Sequence, residues 1–201
     1  MIVGRRGIVF NILRAFAAIG IAGALVMPAV AASSRHGRGV TRHGHSVSGP
    51  RVRAYAIGDS VMLDAAPGLE QSGFIVDAAV SRQFVTGIDI LRWRRAAGGL
   101  PRLVVVDLGT NGPISSALFD EMMGVLHGVP RVIFVTVKEP RWWEGEVNDV
   151  LRAGVARWQN ARLVDWYAYS LGHPDWFWGD GIHLTPAGAA AYAQLVVAAA
   201  A

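Results

Sequence analysis

The chain has 201 residues and no cysteine, which excludes disulfides, thiol catalysis and cysteine-ligated metals. Its formal charge is +4 and its pI about 10.1, but the basic excess lies near the N-terminus: from Ala54 onward there are 11 basic against 15 acidic residues. An acidic body behind a basic segment argues against a nucleic-acid-binding domain.

Residues 1–32 read as an export signal. Arg5, Arg6 and Arg14 form a basic leader, residues 15–27 are uninterruptedly apolar, and Ala29-Val30-Ala31 has the small-residue pattern of a cleavage site. The apolar run is shorter than the roughly 20 residues a spanning helix needs; an uncleaved membrane anchor is the alternative, and any membrane contact is expected through this segment. Residues 33–52, rich in Ser, Gly, Arg and His, read as a disordered basic linker. His36, His43 and His45 have no neighbouring carboxylate and read as solvated rather than metal-binding.

The domain proper is expected over 53–201. Strands are expected at 52–57, 74–79, 103–108, 132–137 and 163–165. Helices are expected at 61–71, 87–97, 115–127, 146–159 and 186–200. Runs such as Leu103-Val104-Val105-Val106 are apolar without alternation, as parallel strands covered on both faces require. Strands alternating with helices give an α/β class and a three-layer α/β/α sandwich around a parallel sheet of about five strands. In such sheets the reactive loops gather beyond the carboxyl ends of the strands.

Three separated segments carry chemistry. Gly58-Asp59-Ser60 follows the first strand and opens a helix, where a hydroxyl and free helix amides meet. Read locally, Asp59 or Ser60 is simply a helix cap. Asn111, between Gly109 and Gly112, offers an amide to an oxyanion or else fills a turn. Asp180 and His183 are spaced so that the carboxylate reaches the imidazole Nδ1 and leaves Nε2 to take a serine proton; read locally, the aspartate caps a turn beside an exposed histidine. Thr185-Pro186 then starts the last helix.

With these segments in this order, the chain resembles the SGNH (GDSL-like) hydrolase superfamily over residues 54–193. "YAIGDSVML", "VDAAVSRQF", "VVVDLGTNG" and "DGIHLTPAG" look most like the periplasmic SGNH domains associated with cell-surface O-acetyltransferases. The resemblance implies a flavodoxin-like sheet, Ser60 as nucleophile, His183 as base, Asp180 as its orienting carboxylate, and the Ser60 amide and Asn111 as oxyanion donors. Val80-Ser81-Arg82-Gln83 stands where the family's glycine block is expected, so the Arg82 backbone N–H is the next donor and Gly87 the alternative. Gly112 replaces the aspartate of many family esterases, in agreement with the acetyltransferase-associated branch.

Aromatic residues frame the expected site. Trp142 and Trp143 follow the fourth strand; Trp176, Phe177 and Trp178 precede Asp180. Rings there either stack on sugar or cover the rim of the core. Arg82 and Arg141 are candidates for an anionic glycan group or are ordinary solvated charges. The expected function is that of an exported, periplasmic or extracytoplasmic serine esterase or O-acetyltransferase. It would act on acyl, chiefly acetyl, groups of cell-envelope polysaccharide or on small esters, without metal or organic cofactor. For transfer, a separately encoded membrane acyltransferase is the expected donor partner. Two other readings are an idle glycan-binding module and a lipase-like carboxylesterase for longer chains.

Overall fold

The computed structural model describes residues 54–201; the expected signal segment and linker lie outside the described residues. Five parallel strands, β1 (Ala54–Gly58), β2 (Phe74–Ala78), β3 (Leu103–Asp107), β4 (Arg131–Val135) and β5 (Ala161–Val164), form one sheet in the order β2-β1-β3-β4-β5. Parallel neighbours need crossover connections. These contain α1 (Ser60–Gln71), α2 (Phe84–Gly98), α3 (Ser116–Val125) and α4 (Glu144–Val155); α6 (Pro186–Ala200) closes the chain.

The side-chain period of two sorts the core. Tyr55, Ile57, Val104, Val106 and Phe134 pack with Ile88 and Leu91 of α2, Phe119 and Met122 of α3, and Val147 and Leu151 of α4. The intervening Ala54, Ala56, Val105, Ile133 and Val135 pack instead with Met62 and Leu69 of α1 and Tyr192 and Val196 of α6. Both faces are therefore covered, and the valine run of β3 is buried on each side. This is the expected three-layer sandwich.

Two short elements go beyond the expected ones: α5 (Trp166–Tyr169) and a 3-10 turn (Pro174–Trp176). Their rings form a cluster in which Trp166 stacks on Trp176 at 5.8 Å and meets Tyr192 edge-on at 5.3 Å. The cluster shapes the approach to the last loop. Strand order reverses between β1 and β3, which places a crevice beyond their carboxyl ends. Ser60 leaves β1 there and Asn111 leaves β3. No described helix is long and apolar enough to cross a membrane.

Candidate active site

Ser60 is the first residue of α1, and Asp59 is its N-cap, accepting the Val61 amide on Oδ1 at 3.0 Å. The cap and the hydroxyl that heads the helix are thus different residues. As the first helical residue, Ser60 has a backbone N–H with no acceptor inside the helix, and its side chain meets His183, whose Nε2 lies 3.1 Å from Ser60 Oγ. Asp59 is fully buried, and its amide donates to the Asp107 carbonyl at 3.2 Å, tying the turn after β1 to the end of β3.

The loop carrying His183 is folded by its own carboxylate. Asp180 Oδ1 accepts the Ile182 and His183 amides at 2.9 and 3.0 Å, while Oδ2 lies 2.7 Å from His183 Nδ1. Hydrogen bonding to His183 first, then to the Ile182 amide, holds the Asp180 carboxyl down at about 2. The loop is closed by the Trp178 amide donating to the His183 carbonyl at 2.8 Å and by Thr185 capping α6. The two side chains remain open to solvent, Asp180 at 45% and His183 at 41% exposure.

The expected oxyanion donors fare unequally. Asn111 sits on the correct edge, with Gly109 at φ +137°, a conformation an L side chain rarely adopts, opening its turn. Asn111 Nδ2 reaches the Arg82 carbonyl only at 3.4 Å, and the Asn111 carbonyl accepts from Gln83 Nε2 at 2.8 Å. The turns after β2 and β3 are stapled together by this exchange. The Arg82 amide is engaged by the Ala79 carbonyl at 3.3 Å, so it is not a free donor. The Gly87 amide is engaged within the first turn of α2, donating to the Gln83 carbonyl at 3.2 Å. Its missing side chain serves packing, because a Cβ there would run into Leu108 Cδ1.

Among the charged and aromatic candidates, Arg82 turns its guanidinium to Asp77, at 2.7 Å from Oδ1, and so is committed to an ion pair. Trp176 is also spoken for, stacked between Trp166 and His173, the latter at 3.8 Å. Trp143 is half-buried and meets Trp142 edge-on at 5.4 Å. Trp142 and Trp178 project into solvent, at 71% and 55% exposure. Arg141 is exposed.

Several residues at the site carry no signal in the three segments. Asp64 Oδ2 accepts the Leu184 amide at 2.8 Å. It lies one helical turn after Ser60 and so on the same face, a spacing that could have singled it out. Asp107 is buried and accepts the Tyr192 hydroxyl at 2.6 Å; burial, reinforced by the neighbouring Asp59 charge, raises it well above the usual carboxylate range. Burial also raises Asp59, to about 6, against the Val61 hydrogen bond. Glu139, in the loop after β4, is buried and raised to about 7, chiefly by burial, with Asp59 and Glu144 adding repulsion. Asp59, Asp107 and Glu139 are thus acids that burial keeps from ionising readily, on the chain segments that follow the carboxyl ends of β1, β3 and β4. Among the described residues no group of three or more His, Asp or Glu side chains converges as a metal site.

No family model matches the chain. It is 35% identical over 146 residues to the putative peptidoglycan O-acetyltransferase YrhL of Bacillus subtilis, covering 72% of this chain and 23% of that protein. It is 34% identical over 147 residues to the peptidoglycan O-acetyltransferase OatA of Listeria monocytogenes, again covering 72% and 23%. The chain thus spans about a quarter of the length of the curated relatives it matches. Among solved structures, the C-terminal catalytic domain of peptidoglycan O-acetyltransferase A of Streptococcus pneumoniae superposes with a TM-score of 0.66 at 26% identity, over 73% of this chain and 90% of that one. A putative acylhydrolase of Bacteroides fragilis shares the fold, with a TM-score of 0.60 at 17% identity over 74% and 86%.

Proposed function

The chain belongs to the SGNH hydrolase superfamily, with the SGNH domains of peptidoglycan O-acetyltransferases among its relatives, and from that membership we propose that it is an exported serine esterase or O-acetyltransferase. Its substrate is an O-acetylated glycan of the cell envelope. The reading is carried by one observation, the run of contacts from Asp180 through His183 to Ser60, at 2.7 and 3.1 Å.

His183 Nε2 takes the Ser60 proton as Oγ bonds to the ester carbonyl carbon, and Asp180 stabilises the imidazolium and fixes its tautomer. The negative charge on the carbonyl oxygen falls before the α1 N-terminus, where the Ser60 amide donates and the Asn111 amide swings in from its long contact with Arg82. Collapse expels the sugar oxygen, which leaves with the proton from His183. Water or a second sugar hydroxyl, deprotonated in turn by His183, then releases the acetyl group from Ser60. Transfer requires an acetyl donor on the same side of the membrane, for which a membrane acyltransferase is the natural source.

The openness of the Asp180–His183 pair favours a short acyl group on a bulky polymer over a long acyl chain, which would need an enclosed apolar tunnel. The test is release of p-nitrophenol from acetyl and octanoyl esters by the protein and by Ser60→Ala. Acetyl-selective turnover that vanishes in the variant supports the proposal. Octanoyl preference moves the function to lipid esters, and equal inertness of protein and variant towards these esters and acetylated glycans removes the enzymatic reading.

A further inference from the structure

Beside the catalytic loop lies a groove with a volume of about 500 Å³ that the acyl-transfer chemistry does not use. Gly179 and Gly181, which flank Asp180, form one wall, so a ligand meets backbone rather than side chains there. Leu171 and Trp178 line it with exposed apolar surface, at 53% and 55% exposure. Ser170 and His173 also line it, and its one full cation is Lys138, three residues beyond β4 and the only lysine in the sequence.

Lys138, like the exposed Arg141, is a cation near the site with no ion pair among the described residues, and it is the one that lines the groove. Arg82 is paired with Asp77 and Arg152 with Asp149 and Asp165, whereas among the described residues Lys138 has no ion-pair partner. Its ammonium stands 5.4 Å over the Tyr167 ring, an aromatic shelf that holds the side chain at the groove without neutralising it. The adjacent Glu139 is turned into the interior, so the chain presents the cation outward and withdraws the anion. This happens on a domain whose described part is net acidic, where a diffuse attraction for anions has the wrong sign.

We propose that this groove is a subsite for an acidic sugar of the glycan, with the ring's C–H face against Trp178 and its carboxylate on Lys138. The proposal rests on the glycan-ester reading of the site and names the charge its substrate carries. A purely apolar acyl group would leave the ammonium unmatched, and a neutral sugar would use only half of the lining.

Binding without turnover tests it. Calorimetric titration of the protein with trigalacturonate and with its fully methyl-esterified form compares ligands that differ in the carboxylates alone. The acid is expected to bind about tenfold more tightly than the ester. Lys138→Gln should bring that ratio to nearly one, Lys138→Arg should restore most of it, and Trp178→Ala should weaken both ligands with the ratio kept. Equal affinities for the two forms, retention of the preference in Lys138→Gln, or no measurable binding of either form overturns the subsite. Modification of Ser60 by phenylmethylsulfonyl fluoride reports separately on the chemistry. A labelled Ser60 without a charge preference removes the subsite alone; a charge preference with an unreactive Ser60 keeps the subsite and removes the esterase reading.

Discussion

Asp64 Oδ2 accepts the Leu184 amide at 2.8 Å, so the helix that presents Ser60 also grips the loop residue next to His183. The serine and the base are separated by more than a hundred residues of sequence, yet one helical turn carries both the hydroxyl and the clamp on the imidazole's loop. Exposure makes this hydrogen bond modest in stability, about 1 kcal/mol. Its value lies in geometry, since a shift of about 1 Å at a reacting group can cost a hundredfold in rate. Asp64→Ala is therefore expected to lower the rate of Ser60 acylation by p-nitrophenyl acetate about ten- to hundredfold while shifting the melting temperature by only a few degrees. Asp64→Asn keeps an acceptor oxygen and should retain most of the rate. Equal acylation by wild type and Asp64→Ala would remove the positioning role.

The parts of this site that are readable in the sequence are those whose chemistry is local. Asp180 and His183 are three residues apart and complete their own turn, and Gly58-Asp59-Ser60 declares a strand end and a helix start together. The sheet is equally plain, because buried parallel strands must be continuously apolar. What is hidden depends on distant partners. Asp64 gains its meaning from an amide 120 residues away, and Glu139 is an ordinary loop acid until the fold buries it. Helix α2 begins at Phe84 rather than 87 because Gln83 caps it through its backbone alone, without the side-chain hydrogen bond that marks a start in sequence. The short α5 has no room for a helical period.

Gly87 offers a clean separation of packing from chemistry. In Gly87→Ala the added methyl meets Leu108 Cδ1, the far end of a flexible side chain, so the cost is expected near 1–2 kcal/mol. Leu108→Val in the same molecule makes room for the methyl, and the two changes should couple favourably rather than add. Urea unfolding of the two single variants and the double variant measures the coupling. Strict additivity would show that Gly87 is there for a reason other than its approach to Leu108.

The tryptophans divide into a structural and an exposed set, and alanine substitution should separate them. Trp176 lies between Trp166 and His173, and its carbonyl accepts the Thr185 amide at 2.9 Å, so the ring and backbone together set the entry to α6. Trp176→Ala is expected to cost about 3 kcal/mol of stability. Trp142 is 71% exposed and meets Trp143 edge-on. Trp142→Ala should stay within roughly 0.5 kcal/mol of wild type, with any loss seen as a raised KM for an acetylated glycan. Thermal unfolding beside glycan kinetics checks both; a strongly destabilised Trp142→Ala would place that ring among the structural ones.

Glu139 sets a pH dependence of stability whose direction is fixed by its burial. Below about pH 4.5 it is protonated in the folded and unfolded chain alike. Between about 4.5 and 7 the unfolded chain releases a proton that the folded chain keeps, so stability falls as pH rises; above about 7 the full cost of an ionised buried carboxylate is present. Asp59, raised to about 6, acts in the same sense, and Asp180, held at about 2, has finished titrating below this window. Glu139→Gln keeps the shape and removes the charge. The variant should match wild type near pH 4 and exceed it at pH 8 by about 1–3 kcal/mol, leaving the shallower decline that Asp59 and Asp107 contribute. Urea denaturation at the two pH values measures the difference. Parallel profiles would mean that Glu139 reaches solvent when ionised, and the acids that burial keeps from ionising readily would then be Asp59 and Asp107 alone.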